Sequence, residues 1–173
     1  FAMDSLIAVV PSWNVMIPYT IACAVLFLTP GPDMSLFLAK TLAGGRSAGV
    51  AALLGAMTGG LVHTILAGIG LSAILAASPI GFTILKVVGA LYLLWLAIDA
   101  VRNGSVLRVN APGRADARWF KTYLTGVGIN LTNPKIILFF VTFLPQFVSP
   151  TDPNAAGQIF FLGLYFLVFS FPL

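Results

Sequence analysis

Apolar residues fill most of positions 13–28 and resume over 34–42, with Leu28-Thr29-Pro30-Gly31-Pro32-Asp33-Met34 between them. The two stretches span about thirty residues, enough to cross ~30 Å of hydrocarbon even when tilted. The pattern predicts one helix in two halves, broken at Pro30-Pro32. The prolines remove backbone donors there and Gly31 lets the chain turn. Further apolar runs predict a second helix over 48–76, a third over 82–101, a fourth over 119–144 and a fifth from 155 onward. Polar or turn-forming segments separate them: Ala43-Gly44-Gly45-Arg46-Ser47, Ala77-Ser78-Pro79-Ile80-Gly81, residues 102–118, and a proline-rich turn over 145–153. The fourth helix is broken like the first, at Asn133-Pro134 within Asn130-Leu131-Thr132-Asn133-Pro134-Lys135-Ile136.

Shifted by the 102 positions that separate Pro32 from Pro134, the first break falls on the second. Leu36 then lands on Leu138, Phe37 on Phe139 and Asp33 on Lys135, an acid on a base. Interrupted membrane helices at corresponding places in two halves of a chain point to a transporter's binding site. The freed backbone groups must be buried in protein or line a wet cavity. Three crossings precede the repeat, so the second half enters from the opposite side. The expected fold is an all-α polytopic membrane protein built as an inverted repeat of three helices each. Residues 4–103 form the first repeat, 104–118 a cytoplasmic linker loop and 119–173 an incomplete second repeat, with a sixth helix expected beyond Leu173. Phe1-Ala2 ahead of Met3 reads as a remnant preceding a natural start.

Composition turns the lipid bilayer from one option into a requirement. Of 173 residues, 59% are hydrophobic and 8% charged, against about 25% charged in a soluble domain. The net charge of +4 does not indicate nucleic acid, because five of the nine Lys and Arg lie between Arg102 and Lys121, beside helix ends. Lys40, Arg46, Arg102, Arg108, Arg114, Arg118 and Lys121 share one side, and the other has Lys86 alone. The positive-inside rule makes that basic side cytoplasmic and puts the N-terminus outside. The one cysteine, Cys23, allows no internal disulfide and no cysteine-based metal site. There is no phosphate loop, paired-histidine zinc motif or Gly-x-Ser-x-Gly elbow. The residues suggest no catalytic set, no metal and no cofactor.

Two charges lie clearly inside the apolar stretches, Asp33 and Lys135. An intramembrane charge costs about 2.5–3.5 kcal/mol on insertion scales and is a functional candidate for that reason. On the functional reading, Asp33 takes a substrate ammonium or a proton. Lys135 and the half-helix start beside it then attract a carboxylate. On the structural reading, Asp33 and Lys135 form an ion pair that ties the repeats together. Asn130 and Asn133 bond substrate or satisfy the broken backbone. Thr29 and Thr132 carry the same two readings, and Gly31, Pro32 and Pro134 shape the site's backbone. His63 either relays protons with Asp33 or is a hydrogen-bonded packing residue. Tyr92 and Trp95 are aromatic core or cavity lining. Asp99 and Arg102 have the spacing of an interfacial ion pair. Ala51, Gly55, Gly59, His63 and Ala67 recur every fourth residue, a close-packing face. That face suits neighbours within a protomer or between protomers of a homo-oligomer.

Taken in order, Thr29-Pro30-Gly31-Pro32-Asp33, Lys86-Val87-Val88-Gly89-Ala90-Leu91-Tyr92-Leu93, Asn130-Leu131-Thr132-Asn133-Pro134-Lys135 and Phe143-Leu144-Pro145-Gln146-Phe147 resemble the LysE-type amino-acid exporter family, especially its homoserine/threonine (RhtB-type) branch. The resemblance implies a six-helix bacterial inner-membrane efflux protein for amino acids or close derivatives, driven by the proton gradient. One acid and one base suit a small neutral zwitterion, exported by alternating access around the level of Asp33 and Lys135. Two rival readings remain: an intramembrane enzyme using Asp33 and His63 as acid and base, and a passive channel.

Overall fold

The computed structural model describes residues 9–103, 118–149 and 151–170. Among them every regular element is helical, and prolines set most of the boundaries. Helix α1 (Trp13–Leu28) stops because Thr29 precedes Pro30. A proline ring crowds the residue before it out of the helical region, and Thr29 sits extended at φ −77°, ψ 115°. Helix α2 (Pro32–Ala77) begins with Pro32, at the first helical position, where a missing N–H costs nothing. It is two rods, because Gly45 has φ 74° and ψ −175°, a region open essentially to glycine alone. The connection predicted over 43–47 thus narrows to one residue between rods 32–44 and 46–77.

Helix α3 (Pro79–Asn103) also opens on a proline. Helix α4 (Trp119–Thr132) ends for the same reason as α1. Asn133 precedes Pro134 and is extended at φ −71°, ψ 110°. Helix α5 (Pro134–Leu138) follows, then a π-helical turn (Phe139–Phe143) and a 3-10 turn (Leu144–Phe147). Asn130 stays helical, so the break predicted over 130–134 is a single residue. The path bends there by 51°. Helix α6 (Ala155–Ser170) completes the described chain.

Small residues let the rods approach backbone to backbone. A Cβ added at Gly55 would strike the carbonyl oxygen of Tyr123, and one at Gly126 the carbonyl of Ala52. Ala51 and Ala52 are fully buried beside them. The small-residue face of α2 therefore packs inside the protomer, on α4. Farther along α2, Gly60 accommodates Leu167 and Gly68 accommodates Phe160, both on α6. Helix α1 is tied to α6 by the Tyr19 hydroxyl, which donates to the Leu162 carbonyl at 2.9 Å. An aromatic core fills the space between them. The Phe166 ring lies 4.4 Å from Phe139 and 4.7 Å from Phe27. Helix α3 packs against the π-helical turn.

The exterior is apolar: Leu28, Leu42, Ile69, Ile80 and Val168 are each at least 64% exposed. Water-soluble monomers rarely show large contiguous apolar patches; lipid is the solvent this surface fits. The stretch Pro32–Gly70 is long and apolar enough to cross a membrane, and Trp119–Thr132 with Pro134–Phe147 passes the same test as one bent span. Trp95 is 55% exposed. The linker over 104–117, and the side chains of Tyr92 and Asp99, lie outside the described residues.

Candidate functional site

The two breaks meet, and each reaches into the other. Asp33 and Lys135 both occupy the second position of a helix that restarts on a proline. Asp33 Oδ2 accepts from Asn130 Nδ2 at 3.0 Å and from Asn133 Nδ2 at 2.9 Å, at the end of α4. Lys135 Nζ donates to the carbonyls of Leu26 at 3.1 Å and Thr29 at 2.8 Å, at the end of α1. The acid thus holds the other break's amides, and the base holds the other break's carbonyls. Among the described residues no ion pair joins Asp33 to Lys135; the structural pair read from the sequence is replaced by this exchange.

Each partner choice has a local cause. The carbonyls ending a helix have no intrahelical donors and carry partial negative charge, so an ammonium is drawn to the end of α1. Gly31 leaves it room: a Cβ there would lie 3.1 Å from Lys135 Nζ. Asn133 works in both directions. Its Oδ1 accepts the Lys135 backbone N–H at 3.1 Å, capping α5, while its Nδ2 donates to Asp33. The amide that heads α5 is therefore already satisfied, and the Lys135 ammonium faces α1. These are the two groups from which a carboxylate seat was expected.

His63 reaches the same place from α2. Its Nε2 lies 3.3 Å from the Asn130 carbonyl, a contact in which that nitrogen donates, and its ring stacks on Phe140 at 5.6 Å. Phe140 meets Phe166 edge-on at 5.3 Å, so the site is continuous with the aromatic core. Thr29 and Thr132 turn their hydroxyls to their own helices, Thr29 to the Val25 carbonyl at 2.7 Å and Thr132 to that of Gly128 at 2.8 Å. That is the backbone role of the two read from the sequence.

Two buried acceptors at the crossing have no partner, Asp33 Oδ1 and Asn130 Oδ1. Buried polar atoms are nearly always bonded, and an unsatisfied one costs about 1–3 kcal/mol. Gly59 lets the Asn130 side chain pack directly on α2: a Cβ there would approach Asn130 Oδ1 to 2.7 Å. Both orphans are acceptors, so a group that pairs with them has to donate. An ammonium, with three N–H bonds and no acceptor, has that chemistry. Among the described residues no cluster of His, Cys, Asp and Glu could hold a metal ion. A groove of about 740 Å³ between α1 and α6, lined by Trp13, Ile17, Phe161 and Tyr165 among others, includes none of the predicted site residues.

Sequence reasoning passed over Leu26, Gly59 and Phe140 as site residues. Leu26 contributes a backbone carbonyl, which no side chain announces. Its signal is position, within the last turn before a break. Gly59 stood out only as packing, and Phe140 only as one apolar residue among many.

Comparison with known proteins gives the family. The family model described as LysE type translocator matches residues 24–172. A homoserine/homoserine lactone efflux protein of Salmonella typhimurium is 32% identical over 150 residues, covering 87% of this chain and 72% of that protein. A leucine efflux protein of Enterobacter sp. is 34% identical over 164 residues, 88% of this chain and 77% of that protein. A protein of Vibrio cholerae named only as an uncharacterized membrane protein is 34% identical over 138 residues, 80% of this chain and 67% of its own length. No solved structure matches the chain. A match over most of the length, with relatives of this identity and coverage, shows that the chain belongs to the LysE type translocator family, whose members are transporters and not enzymes.

Proposed function

We propose that this chain exports a small amino acid, or a close derivative, across the bacterial inner membrane, coupled to protons. The relatives named for efflux of homoserine, homoserine lactone and leucine support the substrate class. The observation that carries the site assignment is the pair of orphaned acceptors, Asp33 Oδ1 and Asn130 Oδ1. A substrate's α-ammonium donates to both when bound. When substrate has left, a proton on Asp33 removes the buried charge that the ammonium had balanced. One carboxylate thus serves substrate and proton in turn, which is antiport. His63 positions Asn130 through its carbonyl. Asn133 positions Asp33.

The reading extends to architecture. The halves 4–103 and 119–173 are an inverted repeat, completed by a sixth helix, with basic loops cytoplasmic and the N-terminus outside. They rock about the crossing, and the Asp33–Asn133 and Lys135–Thr29 bonds are the contacts that rearrange. In support, both breaks have one cause, a residue held extended before a proline, and each restarts with proline and then a charged residue.

Proteoliposomes with an internal pH dye test the whole reading. Homoserine or leucine imposed on one side should drive proton movement the other way, and a pH gradient should drive uptake of labelled substrate. Substrate flux that is indifferent to pH on both sides would identify a passive channel. Absence of flux for a panel of small amino acids and their lactones would remove the substrate class.

A further inference from the structure

We propose that the Lys135 ammonium is a tethered cation seated in what is otherwise a monovalent-cation site, the carbonyl end of α1 formed by Leu26 and Thr29. In transporters built from broken helices, half-helix C-terminal ends and unwound carbonyls are where Na⁺ is held. Here the two carbonyls at the end of α1 are occupied, at 3.1 and 2.8 Å, by a side chain that arrives from more than a hundred residues away. Lysine commonly caps the last turn of its own helix. This one caps the end of a different helix, at the break. Gly31 clears the space the ammonium fills, and the site's other charge, Asp33, makes its hydrogen bonds to the two asparagines rather than to the ammonium. The chain therefore carries its own counter-charge and needs no sodium at this position.

The inference goes beyond amino-acid export and does not rest on it, because its readout is cation-dependent stability. Removing the ammonium leaves two carbonyls, the partial negative end of α1 and the nearby Asp33 with no cation. A small hard cation with some water is the group that fits. The full chain and Lys135→Ala are expressed, extracted into detergent and melted in NaCl, LiCl, KCl or choline chloride at equal ionic strength. The unaltered chain should melt at the same temperature in NaCl and in choline. Lys135→Ala should be recovered better in NaCl or LiCl than in choline. Its Tm should rise saturably, by about 2–4 °C once salt is a few-fold above its Kd. Three results overturn the proposal: sodium-specific stabilisation of the unaltered chain, a folded Lys135→Ala indifferent to the cation, or equal loss of Lys135→Ala in every salt. A failure of transport in liposomes leaves these outcomes unchanged, so the two readings stand or fall separately.

Discussion

Asp33 accepts the side-chain amide of Asn133 at 2.9 Å, so the acid after the first break holds the residue that forms the second. Asn133 is at once the C-cap of α4 and the N-cap of α5. A change of charge at Asp33 therefore acts directly on the bend between those helices.

Asp33→Asn should fold and lose coupled transport. The asparagine oxygen still accepts from Asn130 and Asn133, while the charge-assisted part of those bonds is lost, at a cost of about 1–2 kcal/mol. Detergent melting should show a small decrease in Tm. Substrate-driven proton movement should disappear. Normal transport with unchanged pH dependence would refute the coupling role.

Lys135→Met should be the more destabilising change in choline, because it strips two part-buried carbonyls of their donor. Each bond to a charged group is worth about 1.5–3 kcal/mol. Since Lys135 and Asp33 hold different partners, Lys135→Met combined with Asp33→Asn should not restore stability. A melting double-mutant cycle should return a coupling well below the about 3–5 kcal/mol expected from breaking a buried pair. A stable double variant would reinstate the direct ion pair.

Gly126 and Gly128, two residues apart and so on roughly opposite faces of α4, should respond oppositely to alanine. At Gly126 the new Cβ meets the Ala52 carbonyl, which cannot move without separating α2 from α4. At Gly128 nothing lies within 4 Å, and alanine is better than glycine in a helix by about 1 kcal/mol. Gly126→Ala should cost yield and Tm, and Gly128→Ala should leave both level or higher. Equal tolerance at the two sites would contradict the close approach.

His63→Gln should keep transport and its pH profile, because the amide can still donate to the Asn130 carbonyl. His63→Leu loses that bond and should raise KM for substrate more than it lowers kcat. A pH profile flattened by His63→Gln would instead make His63 a proton relay.

Single cysteines at positions 114 and 150 test the proposed orientation. The one native thiol, Cys23, is buried and fully shielded, which simplifies the labelling background. An impermeant maleimide added outside should reach position 150 and spare 114. The reverse pattern would invert the topology.

The breaks were legible in the amino-acid sequence because their cause is local. A proline restricts its own φ and the residue before it whatever lies nearby, so Thr29-Pro30 and Asn133-Pro134 marked the ends of α1 and α4. The lipid-facing class was legible too, since composition sets the solvent, and so was the small-residue face of α2. What Asp33 and Lys135 bind was decided only by the tertiary structure. Their matching offset says that they hold like positions in their own helices, not that they face each other. Which atoms meet depends on the depth and angle at which helices cross. That geometry comes from backbone contacts such as Gly55 on Tyr123 and Gly126 on Ala52. In the folded chain Asp33 lies beside two asparagine amides and Lys135 beside the carbonyls that end α1. The charges then bond the nearest unsatisfied backbone and amide groups in place of one another.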